Sequence, residues 1–221
     1  MKRIVKKIVK TKAIVLIALV LNTFLLTGCL FLEEDEPVAK LDLASGDYAC
    51  VTLSTNMGDM IIALDEVNAP ITVANFLSYT NDLFYNGTIV HRVIDGFMIQ
   101  AGGFNQSYDR KTTGAPITNE AHIALSNKRG TISMARTDGA HSATAQFFIN
   151  TVDNLHLDYK AATNEGWGHA AFGQVVNGMS LVDSISKVTT GPGGPFDSDV
   201  PTEMITIETA SVVSCDDVVQ L

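Results

Sequence analysis

Cations are what this chain runs short of. Its 221 residues include 15 Lys or Arg against 24 Asp or Glu. Six of those cations are Lys2, Arg3, Lys6, Lys7, Lys10 and Lys12, so a chain without residues 1–28 sets nine cations against 24 carboxylates, a net charge near −15. A balance that acidic argues against nucleic acid as a partner, because a phosphate backbone needs a basic face. Ligand-spaced histidines are missing too. His91, His122 and His141 form no HExxH, so neither a metal nor another cofactor is expected. Glu33-Glu34-Asp35-Glu36 has no accompanying His or spaced carboxylate and reads as a solvated stretch. There is no G-x-S-x-G, which leaves an elbow-type serine hydrolase unsupported, and no internal repeat. The most apolar run, Ala13 to Leu26, has the length of a signal-peptide core and is short for a membrane span.

What is present at the N-terminus is a basic segment, that apolar run, and then Leu26-Thr27-Gly28-Cys29. Small residues before a cysteine at this point resemble the cleavage site of bacterial lipoproteins, where the thiol takes a diacylglycerol. An ordinary signal peptide with a chance Cys29 is the rival reading. Several acyl chains on Cys29 would anchor the protein to a membrane without a spanning helix. Leu30 is not the Asp associated with inner-membrane retention, so the expected location is the bacterial cell envelope, facing the periplasm, with the outer membrane favoured. The predicted organisation is a signal peptide over 1–28, a lipidated Cys and acidic tether over 29–46, and one domain over 47–217.

Within that domain, Tyr48 to Thr55 alternates as a strand does. Asn56 to Asp59 is a turn signal, and Met60 to Leu64 returns. Asn68-Ala69-Pro70 reads as a helix start, with Asn68 as the cap and proline in the first turn. Val73, Phe76, Leu77 and Thr80 give its apolar stripe. Phe104 to Asn119 is polar and long, a loop of the kind that frames a site. Gly130 to Ala135 and Gln146 to Asn150 are short strands, and Ala170 to Val176 is another. Asn177 starts a second helix with Met179, Val182 and Ile185 on one face. Gly191-Pro192-Gly193-Gly194-Pro195 reads as a loop, and Glu203 to Ser214 as the last strand.

The stretch Tyr85 to Gly102, YNGTIVHRVIDGFMIQAG, carries the chemistry. Thr88 to Ile94 is β-branched and alternating, Asp95-Gly96 turns, and a second run leads to Gln100. Strand parity puts Arg92 with Ile94 and Met98 with Gln100, with Phe97 at the bend. A guanidinium, a thioether and a carboxamide on one surface suit a ligand with an apolar body and a polar backbone, such as a peptide carrying proline. Gln146 and Phe148 share parity on their own strand. Judged singly, Phe97, Met98 and Phe148 would be core and Arg92 a surface charge.

The joint spacing resembles the cyclophilins, the cyclosporin-binding peptidyl-prolyl cis-trans isomerases. The matching residues are Tyr85, Val90-His91-Arg92, Phe97-Met98 and Gln100-Ala101-Gly102, then Arg129 to Arg136, Ser142 to Asn150, His169 to Gly173 and Asn177 to Met179. The resemblance spans roughly residues 48 to 213 and is nearest the short bacterial members. It implies a mainly β fold, a closed eight-stranded antiparallel barrel capped by two helices. It implies acceleration of X-Pro isomerisation, here in exported proteins. Arg92 would be the donor to the proline nitrogen and Gln100 would hold the substrate carbonyl or a water, with Phe97 and Phe148 completing the catalytic set. Met98, Ala135, Arg136, Gln146, His156, Leu157 and His169 would contact substrate. Arg136 stands where many members have Asn, in a role carried by the backbone. His156 stands where many eukaryotic members have a tryptophan that contacts cyclosporin, so weak cyclosporin binding is expected. The first and last strands neighbour each other in that barrel, which implies a disulfide between Cys50 and Cys215 with 164 residues between them. The expected partners are proline-containing polypeptides and, through Cys29, a membrane, with the domain itself a monomer. The alternative function is a non-catalytic peptide-binding or chaperone module on the same fold.

Overall fold

Burial alternates along β1 (Tyr48–Thr55), and the alternation decides which way the barrel wall faces. Val51 and Leu53 enter the central core, whereas Cys50 joins a small cluster outside it with Ala63 and Val218. The computed structural model describes residues 47–218; the predicted signal peptide, Cys29 and the whole predicted tether to residue 46 lie outside them.

The other barrel strands are β2 (Gly58–Asp65), β3 (Thr88–Ile94), β4 (Met98–Asn105), β5 (Thr131–Met134), β6 (Phe147–Asn150), β7 (Ala171–Asn177) and β10 (Thr206–Val213). They close in the order β1-β10-β3-β4-β6-β5-β7-β2, and every pairing is antiparallel. Closure leaves no open edge in this sheet. A separate two-stranded hairpin, β8 (Thr190–Gly193) with β9 (Phe196–Pro201), packs outside the barrel. Three helices complete the described residues: α1 (Pro70–Asn81), α2 (Met179–Ser186) and a single turn, α3 (Cys215–Val218). None of the described helices is long and apolar enough to cross a membrane.

The core is aromatic at its centre. Phe76 of α1 meets Tyr85 at 4.9 Å, Phe172 at 5.3 Å and Phe147 edge-on at 5.4 Å between ring centroids. Each such ring contributes roughly 1.5–3 kcal/mol by burial alone. Tyr85 is fully buried and satisfies its hydroxyl by donating to the Ala145 carbonyl at 2.9 Å. Burial raises the phenol pKa well above the usual range, so the hydroxyl keeps its proton.

Four local expectations need correction. Asn68 does not cap α1. Its amide donates to Asp65 Oδ2, and Ala69 is the capping position without a side-chain bond. The orphan donors are met instead by Glu120, whose carboxylate accepts from the Ile71 and Thr72 amides and from the Thr72 hydroxyl at 3.1, 2.8 and 2.7 Å. A carboxylate at a helix N-terminus also interacts favourably with the positive end of the macrodipole. Asn177 is the last residue of β7, paired with Ile61, and Gly178 at φ 92° is the position that starts α2. The Gly-Pro run is only partly loop: Gly191 to Gly193 belong to β8, with Gly191 paired to Val200, and Gly194-Pro195 form the turn. Likewise β4 runs past Gln100 to Asn105, into the segment expected to be loop.

Candidate active site

The bend that joins β3 to β4 brings Arg92 opposite Gln100 and Ile94 opposite Met98. Gln100 in turn pairs with Phe148 across β4 and β6, and Ser133 pairs with Phe148 across β6 and β5. Arg92, Gln100 and Phe148 therefore stand in one row across three neighbouring strands. A cleft of about 140 Å³ opens over that row, lined by Arg92, Phe97, Met98, Gln100, Ala135, Arg136, Phe148, Leu157 and His169. Its floor is apolar and closed, with Met98 2% and Phe148 4% exposed.

β4 can lie this close to β6 because of its glycines. A Cβ on Gly102, at φ 80°, would come 2.9 Å from the Tyr85 and Phe147 rings, and one on Gly103 would strike the Gln146 side chain at 2.5 Å. Gln146 occupies that space and accepts from Gln100 Nε2 at 3.0 Å, which fixes the Gln100 carboxamide. Gln146 itself lines a neighbouring cleft of about 240 Å³ that shares Gln100, Ala135 and Arg136 with the first. Phe104, Arg110, Thr137, Ser142 and Thr144 also line it. None of those five is singled out by the sequence as a site residue; the polar segment from Phe104 and the small, polar segment from Arg136 to Ala145, along which the family resemblance runs the peptide, point there.

His156 does not line either cleft. It stacks on Phe97 at 5.8 Å, with the rings 24° apart, as the middle residue of a 3-10 turn over Leu155–Leu157. His169 meets Phe148 edge-on at 5.3 Å, and its Nδ1 lies 2.9 Å from the Met134 carbonyl oxygen. Burial lowers the His169 pKa, so the ring is neutral at pH 7.

Behind the apolar lining sits a buried amide network. Asn154 donates to the Phe97 carbonyl and to Asn150 Oδ1, both at 2.8 Å. Asn127 donates to Asp158 Oδ1 at 2.9 Å and to the His169 carbonyl at 3.0 Å, and accepts from Ser133 Oγ at 2.7 Å. Burial works against the Asp158 charge, but bonds from Ser126 and Asn127 overrule it and hold the carboxyl below its ordinary pKa. Satisfied networks of this kind lock the residues they touch. Those residues are Phe97 and His169 of the lining and the turn that presents Leu157.

Arg92 is the charged group at the mouth. Its side chain is 44% exposed, and its Nε lies 3.7 Å from Asp199 Oδ2. Asp199 sits on β9 with φ 66°, a conformation uncommon for a residue other than glycine. Nothing in the local sequence marked Asp199, because the pairing depends on how the hairpin docks. That docking is aromatic: Phe196 stacks on buried His91 at 5.7 Å and meets Phe104 edge-on at 5.1 Å. Burial depresses the His91 pKa to about 4. Among the described residues, no three His, Cys, Asp or Glu side chains gather as a metal would require.

Cys50 and Cys215 are disulfide-bonded, with Cα atoms 5.2 Å apart and a sequence separation of 165. The bond lies on the β1 side, away from the row of Arg92, Gln100 and Phe148.

Comparison with known proteins agrees with this geometry. Residues 50–212 match the family described as cyclophilin type peptidyl-prolyl cis-trans isomerase/CLD. Peptidyl-prolyl cis-trans isomerase B of Escherichia coli (strain K12) is 52% identical over 162 residues, covering 73% of this chain and 98% of that protein. Peptidyl-prolyl cis-trans isomerase A of Dickeya dadantii (strain 3937) is 49% identical over 163 residues, covering 74% and 84%. A crystal structure of a Cryptosporidium parvum cyclophilin type peptidyl-prolyl cis-trans isomerase superposes with a TM-score of 0.60 at 25% identity, covering 76% of this chain and 98% of that one. A matched span of that length, carried on the same closed barrel, places this chain in the cyclophilin-type peptidyl-prolyl cis-trans isomerases.

Proposed function

We propose that the cleft over β3, β4 and β6 isomerises X-Pro bonds and that the protein does so for exported polypeptides at the bacterial cell envelope. Rotation about an X-Pro bond meets a barrier near ~20 kcal/mol because it breaks amide resonance. No covalent step is needed. The twisted bond leaves a lone pair on the proline nitrogen, and a donor present only for that state lowers the barrier selectively. Arg92 is the donor. Its Nε side faces Asp199, which leaves the rest of the fork to the substrate. Gln100, held by Gln146, takes the carbonyl before proline or a water bound to it. Phe97, Met98, Phe148 and Leu157 receive the proline ring, and the backbone of Ala135 and Arg136 bonds the substrate chain. The observation that carries this reading is the register that sets Arg92 opposite Gln100 at the rim of a closed apolar floor. A protease-coupled assay of the purified chain on a short X-Pro peptide tests it. Catalysis well above the uncatalysed rate is expected, and its absence in folded protein would contradict it.

The envelope assignment rests on the leader and Cys29. Acylated Cys29 would hold the domain on a tether of 29–46 at a membrane, with the outer membrane favoured. Cys29→Ser is expected to leave an unprocessed or soluble form; a variant that stays with membranes after a carbonate wash contradicts the anchor. The domain acts as a monomer on proline-containing chains. Cyclosporin binds it weakly, since His156 supplies neither the area nor the indole donor of tryptophan, and His156→Trp should tighten inhibition. Tight inhibition of the unmodified chain would overturn that point.

A further inference from the structure

The segment from Arg136 to Ala145 starts at the cleft lining with Arg136, and the segment from Asp158 to Gly168 leads into the lining at His169. Neither has regular hydrogen-bonded structure of its own, yet the substrate-facing backbone of Ala135 and Arg136 must hold a fixed distance from Leu157 and His169. The Arg136 side chain bridges this gap and also braces its own segment. Its Nε donates to the Gly168 carbonyl at 2.8 Å, one Nη to the Thr137 carbonyl at 3.0 Å, and the other Nη to the Asn164 carbonyl at 3.0 Å. Asn164 returns the tie, its Oδ1 accepting from the Ala140 amide at 3.2 Å. Beneath them, buried Asn119 donates to both Ala140 and Gly168 carbonyls at 3.1 and 3.0 Å. Gly168 can offer its carbonyl there because it sits at φ 66° with no side chain; a Cβ would lie 2.4 Å from the Leu157 carbonyl oxygen. The same Leu157 oxygen accepts from the His169 amide at 2.8 Å, so the clasp ends on the cleft wall itself.

We propose that the Arg136 side chain is a positioning residue, whose guanidinium clasps the 136–145 segment to the 158–168 loop and so sets the width of the substrate cleft. The inference rests on the reading of that cleft as the isomerase site. It gives the side chain a role that is separate from the backbone bond to substrate. Three carbonyls at three angles need a planar fork with several donors. A lysine ammonium keeps the charge but not the fork. The clasp acts on binding and not on the donor at Arg92, so its loss should fall on KM.

The test uses Arg136→Ala and Arg136→Lys in the full chain. Both are expected to raise KM for an X-Pro peptide about tenfold (~1.4 kcal/mol) with kcat within twofold, and Arg136→Lys is expected not to rescue. Amide exchange should accelerate in 137–145 and 158–168 while the barrel strands stay protected. Trp167, the single tryptophan, is packed against His141 at 4.8 Å and Tyr159 at 5.3 Å, so its emission should shift to the red. Asn164→Ala removes the return tie alone and should move KM in the same direction by twofold to threefold, which keeps a test available if Arg136→Ala folds poorly. Unchanged KM in Arg136→Ala and Asn164→Ala, or full rescue by Arg136→Lys, overturns the clasp. If the unmodified chain catalyses no isomerisation, the cleft reading fails, and unchanged exchange in the two loops would still refute the clasp on its own.

Discussion

β1 meets β2 in an unbroken ladder, from Tyr48 opposite Asp65 to Thr55 opposite Gly58, whereas β3 meets β4 across two register shifts within seven residues. In strand order β10 alone separates β1 from β3, while β6, β5 and β7 separate β4 from β2. The regular side carries the disulfide and a small outer cluster around it. The irregular side carries glycines in β4, buried amides, an exposed arginine and two clefts. A continuous ladder commits backbone groups to pairing and fixes the face of each side chain by parity. Register shifts and glycines give up some ladder regularity and re-aim residues such as Arg92 toward solvent. Stability and function are therefore expected to come apart under mutation, one wall at a time.

The largest effect should come from the regular wall. Replacing Cys50 and Cys215 by alanine opens a loop with a sequence separation of 165. Chain entropy sets a ceiling of about 5 kcal/mol for so long a loop, and residual unfolded-state structure reduces it, so a loss of about 3–4 kcal/mol is expected in urea unfolding. Activity per folded molecule should stay within twofold. A large loss of kcat/KM in the folded fraction would show that the two walls are coupled.

The next effect should come from His91, which lies under the irregular wall between Phe104 and Phe196. Its folded pKa of about 4 is below the ordinary value of 6.5, so the unfolded state binds the extra proton first. Its contribution is fully present above pH 6.5 and is lost as pH falls toward 4, by about 3 kcal/mol at pH 4. His169, also lowered by burial, adds a loss of the same sign. Urea midpoints at pH 7 and pH 4 should converge in His91→Phe relative to the unmodified protein. An equal pH slope in both would remove His91 as the cause.

The smallest effect should come from Asp199→Asn. The Arg92–Asp199 pair is long at 3.7 Å and half-exposed, so it is worth less than about 1 kcal/mol. A twofold to threefold fall in kcat/KM is expected at low salt, shrinking as salt screens the pair. A tenfold fall would mean that Asp199 does more than orient Arg92.

Much of this division was legible in the chain. Alternation and β-branching give the bounds of β1 and β3 to the residue, and in β1 the core-facing side restricts the register. The row of Arg92, Gln100 and Phe148 follows from strand parity once the three strands are neighbours, and that adjacency came from the family resemblance. What was not legible depends on contacts between distant segments. Glu120 caps α1 across some fifty residues, and no local rule points to it. The Gly191 to Pro195 run reads as loop because both residue types break strands, yet Phe196 docks the segment and lets part of it pair. Arg136 reads as a substitution of little consequence when only its backbone is considered, and its side chain takes on meaning only beside Gly168 and Asn164.

The claim that the irregular wall holds the chemistry rests most heavily on Arg92. The direct measurement is kcat/KM of Arg92→Ala on an X-Pro peptide, taken beside its urea midpoint. A fall of tenfold or more, about 1.4 kcal/mol of transition-state stabilisation or beyond, with the midpoint unchanged is the predicted result. Full activity in a folded Arg92→Ala protein would contradict it.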